Sequence, residues 1–170
     1  MSVFYEFEDV DAFTTGAIGE PGSRVFFLQA RHGKQRVAVK CEKQQVSAIA
    51  QYLRRVLNDL PPPDDRPVAN SLELVEPVHE AFVLGPIGLG YDRNSDRLVV
   101  QLEEVNLGDG ADADDDETEG ADGHIRLYVT RGQAASFCDH AEQVVAAGRP
   151  DCRWCGFPID PDGHPCPRMN

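Results

Sequence analysis

At 170 residues and 18.7 kDa, 41% hydrophobic and 26% charged, the chain is long enough for one domain with a packed core, or one domain plus an appendage. Sixteen basic against twenty-nine acidic residues leave a net charge of -13, which repels a phosphate backbone and disfavours nucleic-acid binding. No run approaches the roughly 18 apolar residues of a membrane span, and the first residues carry acids where a signal peptide carries bases, so a cytoplasmic protein off the membrane is expected.

Taken in chain order, the elements fall into two similar sets. Phe13 to Gly19 and Phe82 to Gly88 share the pattern FxxGxIG at an offset of 69. After a turn-rich piece, the apolar strand Arg24 to Phe27 answers Arg97 to Val100, now at an offset of 73. A second alternating strand puts Val37, Val39 and Cys41 on one face, and Ile125, Leu127 and Val129 repeat them at an offset of 88. A helix follows each. Val46, Ile49, Ala50, Leu53, Val56 and Leu57 form an i, i+3, i+4, i+7 stripe, matched position for position by Ala134, Phe137, Cys138, Ala141, Val144 and Val145. Pro61-Pro62-Pro63 stops the first helix, Thr130 and Gln133 form a capping box on the second, and Gly148 sits at a C-terminal cap.

The expected fold is α+β: two internally duplicated β-β-β-α units related by a pseudo-dyad, forming a largely antiparallel sheet with both helices on one face. The duplicated domain spans 1–148, with copies at about 1–60 and 70–148. The jump in offset marks an acidic insertion at 108–123, which holds eight acids and no base and is expected to be a solvated, disordered loop. Counted from Asp112, it places Glu117 and Gly123 where an EF-hand loop has Gly and Glu, so it is no such calcium site. Outside it the chain is only mildly acidic.

Residues 149–170 form a separate tail, rich in proline and poor in apolar groups, yet holding three of the five cysteines. Cys152-x2-Cys155-Gly156 is a metal-binding knuckle, in which the glycine permits a tight turn beneath two thiolates. His164-x-Cys166 completes a Cys3His set, the donor composition of a closed structural zinc site. Such a site would order a segment too small for its own core. A redox dithiol, a disulfide, and an open catalytic metal site lacking His164 are the alternatives. Cys41 and Cys138 fall on core positions and read as small buried hydrophobes.

Other motifs are weaker. Arg31-His32-Gly33 matches the signature of histidine phosphatases, but it sits between two strands at a hairpin tip. Val37-Ala38-Val39-Lys40 echoes a kinase strand lysine, without the glycine spacing or the downstream acids of a kinase. If the units pack about a dyad, Gly16, Gly19, Gly85 and Gly88 would line a shared cleft, and with Lys40 they would take a small anionic ligand. Bulges or tight turns explain these glycines more simply.

The tail GRPDCRWCGFPIDPDGHPCPRMN, the HAEQVVAAG helix before it, the opening FEDVDAFTTGAIGEPGSRVFFLQAR and the central LGPIGLGYD together resemble an actinobacterial domain-of-unknown-function family, number 3090. The resemblance covers nearly the whole chain except the acidic loop. It implies an actinobacterial, cytosolic protein and lends no reaction. It also implies a partnership with histidine-phosphatase-like and kinase-like proteins encoded nearby. The resulting expectation is a zinc-stabilised, non-enzymatic binding or adaptor protein with an unknown protein partner. A nucleotide- or phosphometabolite-binding protein or enzyme using the glycine-rich repeats is the alternative.

Overall fold

In the computed structural model, the described residues are 4–20, 22–64, 72–106, 123–147, 152–156, 159 and 166–168. Strand β1 (Phe4–Phe7) precedes two successive β-β-β-α units. The first is β2 (Ala12–Ile18), β3 (Val25–His32), β4 (Gln35–Cys41) and α1 (Lys43–Asn58). The second is β5 (Glu80–Asp92), β6 (Arg97–Glu104), β7 (His124–Val129) and α2 (Arg131–Ala146). The strands form one seven-stranded sheet in the order β1-β7-β6-β5-β4-β3-β2. Four of the six pairings are antiparallel; β4–β5 and β1–β7 are parallel. The α+β class and the mostly antiparallel sheet agree with the sequence.

The parallel joint between β4 and β5 corrects the expected pseudo-dyad. With β4 and β5 running the same way, β2, β3 and β4 point as β5, β6 and β7 do. The units therefore stand side by side in the same orientation, whereas a dyad would reverse one of them. Strand β1 was not anticipated by the repeat. Its Tyr5 and Phe7 pair with Ile125 and Leu127 of β7 and extend the sheet by one strand.

Period-two alternation puts Phe26, Leu28 and Ala30 of β3, Val37, Val39 and Cys41 of β4, Leu98, Val100 and Leu102 of β6, and Ile125, Leu127 and Val129 of β7 on one face. The stripes of α1 (Val46, Ile49, Ala50, Leu53) and α2 (Ala134, Phe137, Cys138, Ala141) bury against it as one core. Phe137 stacks on Phe13 at 4.4 Å. Each helix opens on a capping box, Glu42 with Gln45 and Thr130 with Gln133. The helices pack on each other, with the Cys138 thiol donating to the Ala50 carbonyl at 3.3 Å. Arg54 donates to Asp139 and Glu142, each at 2.8 Å.

The opposite, back face of the sheet is treated differently in the two units. Over the first unit runs the segment 72–77. Gln29 grips its backbone, donating through Nε2 to the Val75 carbonyl at 3.1 Å and accepting from the Val75 N–H at 2.8 Å. Thr14 donates to the Leu72 carbonyl, and Arg36 to that of Pro77 at 3.2 Å. A Cβ on Gly16 would lie 2.6 Å from Leu74, so that glycine is what lets the segment lie flat. Thr14, Gln29 and Ala38 are consequently 0%, 1% and 3% exposed. Thr15 is fully buried too, although β2 is the last strand: α2 covers it, and His140 Nε2 lies 2.9 Å from its carbonyl. The back face of the second unit carries exposed Gly88 and half-buried Gln101 and Arg126.

Candidate metal centre

The tail cysteines are brought together by a turn and a return. Gly156, at φ 77°, takes the left-handed conformation that favours glycine, and its N–H donates to the Cys152 carbonyl at 2.8 Å. This closes residues 152–156 into a turn beneath the first two thiols. The Trp154 N–H points at Cys152 Sγ, 3.5 Å away. N–H donation from Trp154, then from Cys155, pulls the Cys152 thiol down to about 7. Cys166 returns to place its Sγ 3.9 Å from that of Cys152. All three sulfurs, of Cys152, Cys155 and Cys166, lie within 4.8 Å of one another. None of the three is in a disulfide, and 3.9 Å is about twice a disulfide bond length. No helix begins at Cys152 or Cys155 among the described residues, unlike the strand-to-helix setting of a redox dithiol. Three convergent thiols, two of them buried, can hold a metal ion.

His164, the fourth ligand expected from the sequence, lies outside the described residues, as do Asp160, Asp162 and the whole 108–122 stretch of the acidic insertion. Trp154, between the first two cysteines, is 57% exposed, with Arg153 stacked over its ring at 5.8 Å. It offers a contact surface.

The other two cysteines belong to the core. Burial pushes the Cys41 thiol up to about 12 and the Cys138 thiol up to about 11, so both stay neutral and unreactive near neutral pH.

The glycine-and-lysine constellation is not brought together. Gly16 is in β2 and Gly88 in β5, three strands apart in the sheet, roughly 14 Å at the usual strand spacing. The side-by-side arrangement removes the shared cleft that a dyad would have made. The FxxGxIG strings also occupy different registers. Gly16 faces Phe27 within regular pairing, whereas Gly85 lies in the irregular stretch of β5 between Leu84 and Ile87. Gln45 donates to the Leu84 and Gly85 carbonyls there, at 3.2 and 3.1 Å. A Cβ on Gly85 would strike the Val105 backbone at 2.6 Å, and Gly19 is a turn glycine at φ 112°. Packing and turn geometry thus account for Gly16, Gly19 and Gly85. Lys40 is exposed on β4, on the back face. His32 ends β3, with Gly33 turning the hairpin at φ 58° and a strand following, so the phosphatase-like string is a hairpin tip.

The fold and the site therefore define an α+β protein with a cysteine cluster that can hold a metal. A family model described as "Protein of unknown function (DUF3090)" matches residues 5–166, and the chain belongs to that family. No curated protein and no solved structure matches it. Among the described residues, no helix is long and apolar enough to cross a membrane.

Proposed function

We propose that this is a zinc-stabilised binding or adaptor protein without a reaction of its own. In this reading Cys152, Cys155, Cys166 and His164 hold a structural zinc in the tail. The observation that carries it is the convergence of the three thiols. A tetrahedral ion with metal–sulfur bonds of about 2.3 Å separates its sulfurs by about 3.8 Å, close to the 3.9 Å between Cys152 and Cys166. The backbone N–H aimed at Cys152 Sγ stabilises a thiolate, which is the form that ligates. Zinc supplies ordering free energy to a segment with little to bury, and a filled four-ligand shell leaves no open position for catalysis. Three neighbouring cysteines outside any disulfide suit a reducing, cytoplasmic compartment.

In the same reading the two β-β-β-α units are copies of one ancestral unit. Their matching helix stripes and the shared β-β-β-α order support this. The core then serves as a scaffold and the tail as a rigid appendage presenting Trp154.

Metal analysis of purified, reduced protein tests the reading. One zinc per chain is expected, lost in Cys152→Ser and in Cys155→Ser. Reduced, folded protein with less than a tenth of an equivalent of zinc, even after incubation with the ion, would overturn it.

A further inference from the structure

The five cysteines are of two kinds. Cys41 and Cys138 lie in the core, 5% and 0% exposed, and burial holds their thiols at about 12 and about 11, away from the thiolate form that oxidants attack. Cys152, Cys155 and Cys166 lie in the tail, where their sequence neighbours Arg153, Trp154, Gly156, Pro167 and Arg168 are exposed. The three sulfurs fall within 4.8 Å of one another, so a sulfur oxidised in this cluster has a second cysteine at hand to resolve it. Cys152 and Cys166 stand 3.9 Å apart, Sγ to Sγ, and bond once they close by about 2 Å. Joining them leaves the 152–156 turn as it is, with the Gly156 N–H still on the Cys152 carbonyl, and pins the returning Cys166 to it.

We infer that Cys152 and Cys166 are an oxidation-sensitive pair: a hydroperoxide converts them to a disulfide, and the zinc of the proposed site leaves. The disulfide rests on the sulfur positions alone, and the zinc release rests on the zinc reading of the tail. The hydroperoxide passes its terminal oxygen to one sulfur of the pair and leaves as an alcohol, or as water where it is hydrogen peroxide. The other sulfur attacks the resulting sulfenic acid; the S–S bond forms as the S–O bond breaks, and the oxygen leaves as water. Two thiols and one hydroperoxide thus give one disulfide, one alcohol and one water, and the two electrons lost by sulfur go into the broken O–O bond. When the pair starts as zinc-bound thiolates, solvent supplies the two protons. Cys155 and His164 are then the only donors left, too few for the closed four-ligand site. A covalent bond replaces the metal at the same point of the tail, and Trp154, two residues after Cys152, meets a changed surrounding. The contact surface that Trp154 offers thereby becomes sensitive to oxidant.

The test treats the reduced full chain with a few equivalents of hydrogen peroxide. It reads zinc released to a chromogenic chelator, the cysteine pairing by mass spectrometry of proteolytic peptides, and the fluorescence of Trp154, the chain's one tryptophan. One zinc released per disulfide is expected, with Cys152 joined to Cys166, Cys41 and Cys138 still reduced, and a fluorescence change that tracks the release. Dithiothreitol with added zinc should reverse all of these. Cys155→Ser should form the same disulfide, and Cys166→Ser should not form it; unchanged melting temperatures would show that the core of both variants folds. Three results would overturn the inference: a disulfide that joins any other pair, oxidation of Cys152 to sulfinic acid with no cross-link, or zinc retained after the cross-link has formed. Zinc content before peroxide judges the zinc reading separately. A chain purified without the ion would sink that reading, and the pairing after peroxide would still decide the disulfide.

Discussion

The two units turn the same face of the sheet away from the helices and treat it in opposite ways. In the first, Gln29 is buried and both of its amide atoms are spent on Val75. In the second, Gln101 occupies the equivalent place, half-buried beside exposed Gly88. The core faces do not differ: both are closed by an amphipathic helix over three alternating strands. The comparison separates what a β-β-β-α unit needs in order to fold, which is the helix-side core, from what its other face is free to carry.

Core truncations should therefore cost the same on either side and cost most. Leu28→Ala and Leu98→Ala each remove a fully buried leucine, and each should lose about 2–5 kcal/mol in denaturant unfolding. A much smaller loss for one would mean that the units are not equally packed. Back-face substitutions should split the pair. Gln29→Ala leaves the Val75 N–H and carbonyl without their partner, at about 1–3 kcal/mol, while Gln101→Ala should stay within about 0.5 kcal/mol. In the same way Gly16→Ala forces a methyl onto Leu74 and should cost about 1–3 kcal/mol. Gly90→Ala meets open space and should be neutral or slightly stabilising.

Cys41 and Cys138, one in each unit, give a pH test. Their folded thiols ionise only near 12 and 11, well above the usual thiol range, because burial disfavours the thiolate. Their contribution to stability is intact below about pH 8.5. It is lost as pH rises, because the unfolded chain gives up those protons first, at up to about 1.4 kcal/mol per pH unit for each thiol. Cys41→Val and Cys138→Ala, which install the residues of the matching positions, should flatten the alkaline limb of the stability–pH curve. Smallest is Arg54→Ala: its ion pairs with Asp139 and Glu142 are part-exposed and should be worth about 0.5–1 kcal/mol.

The helices, their stripes and the later two strands of each unit were legible because amphipathic period is a local property. Thr130 with Gln133 was visible for the same reason, and the structure shows their reciprocal hydrogen bonds. What failed was the relation between units. Three alternating strands read alike whether the next unit joins in parallel or about a dyad, and only the β4–β5 pairing decides it. The irregular stretch after Leu84 likewise shifted Phe82 and Gly85 out of the register that FxxGxIG suggested. In the tail, CxxCG and the later His-x-Cys displayed the candidate donors, and the structure brings Cys166 to Cys152 and Cys155. Gln101, Arg126 and Gly90 give no such signal, because a back-face residue carries no apolar period. The cue was the alternation GPIGLGY, in which every second residue lacks a core-forming side chain.

The central claim is the metal in the tail, and X-ray absorption at the zinc edge of the purified protein tests it most directly. The account predicts three sulfur scatterers at about 2.3 Å and one nitrogen at about 2.0–2.1 Å. An oxygen-dominated shell, or two sulfurs or fewer, would contradict it.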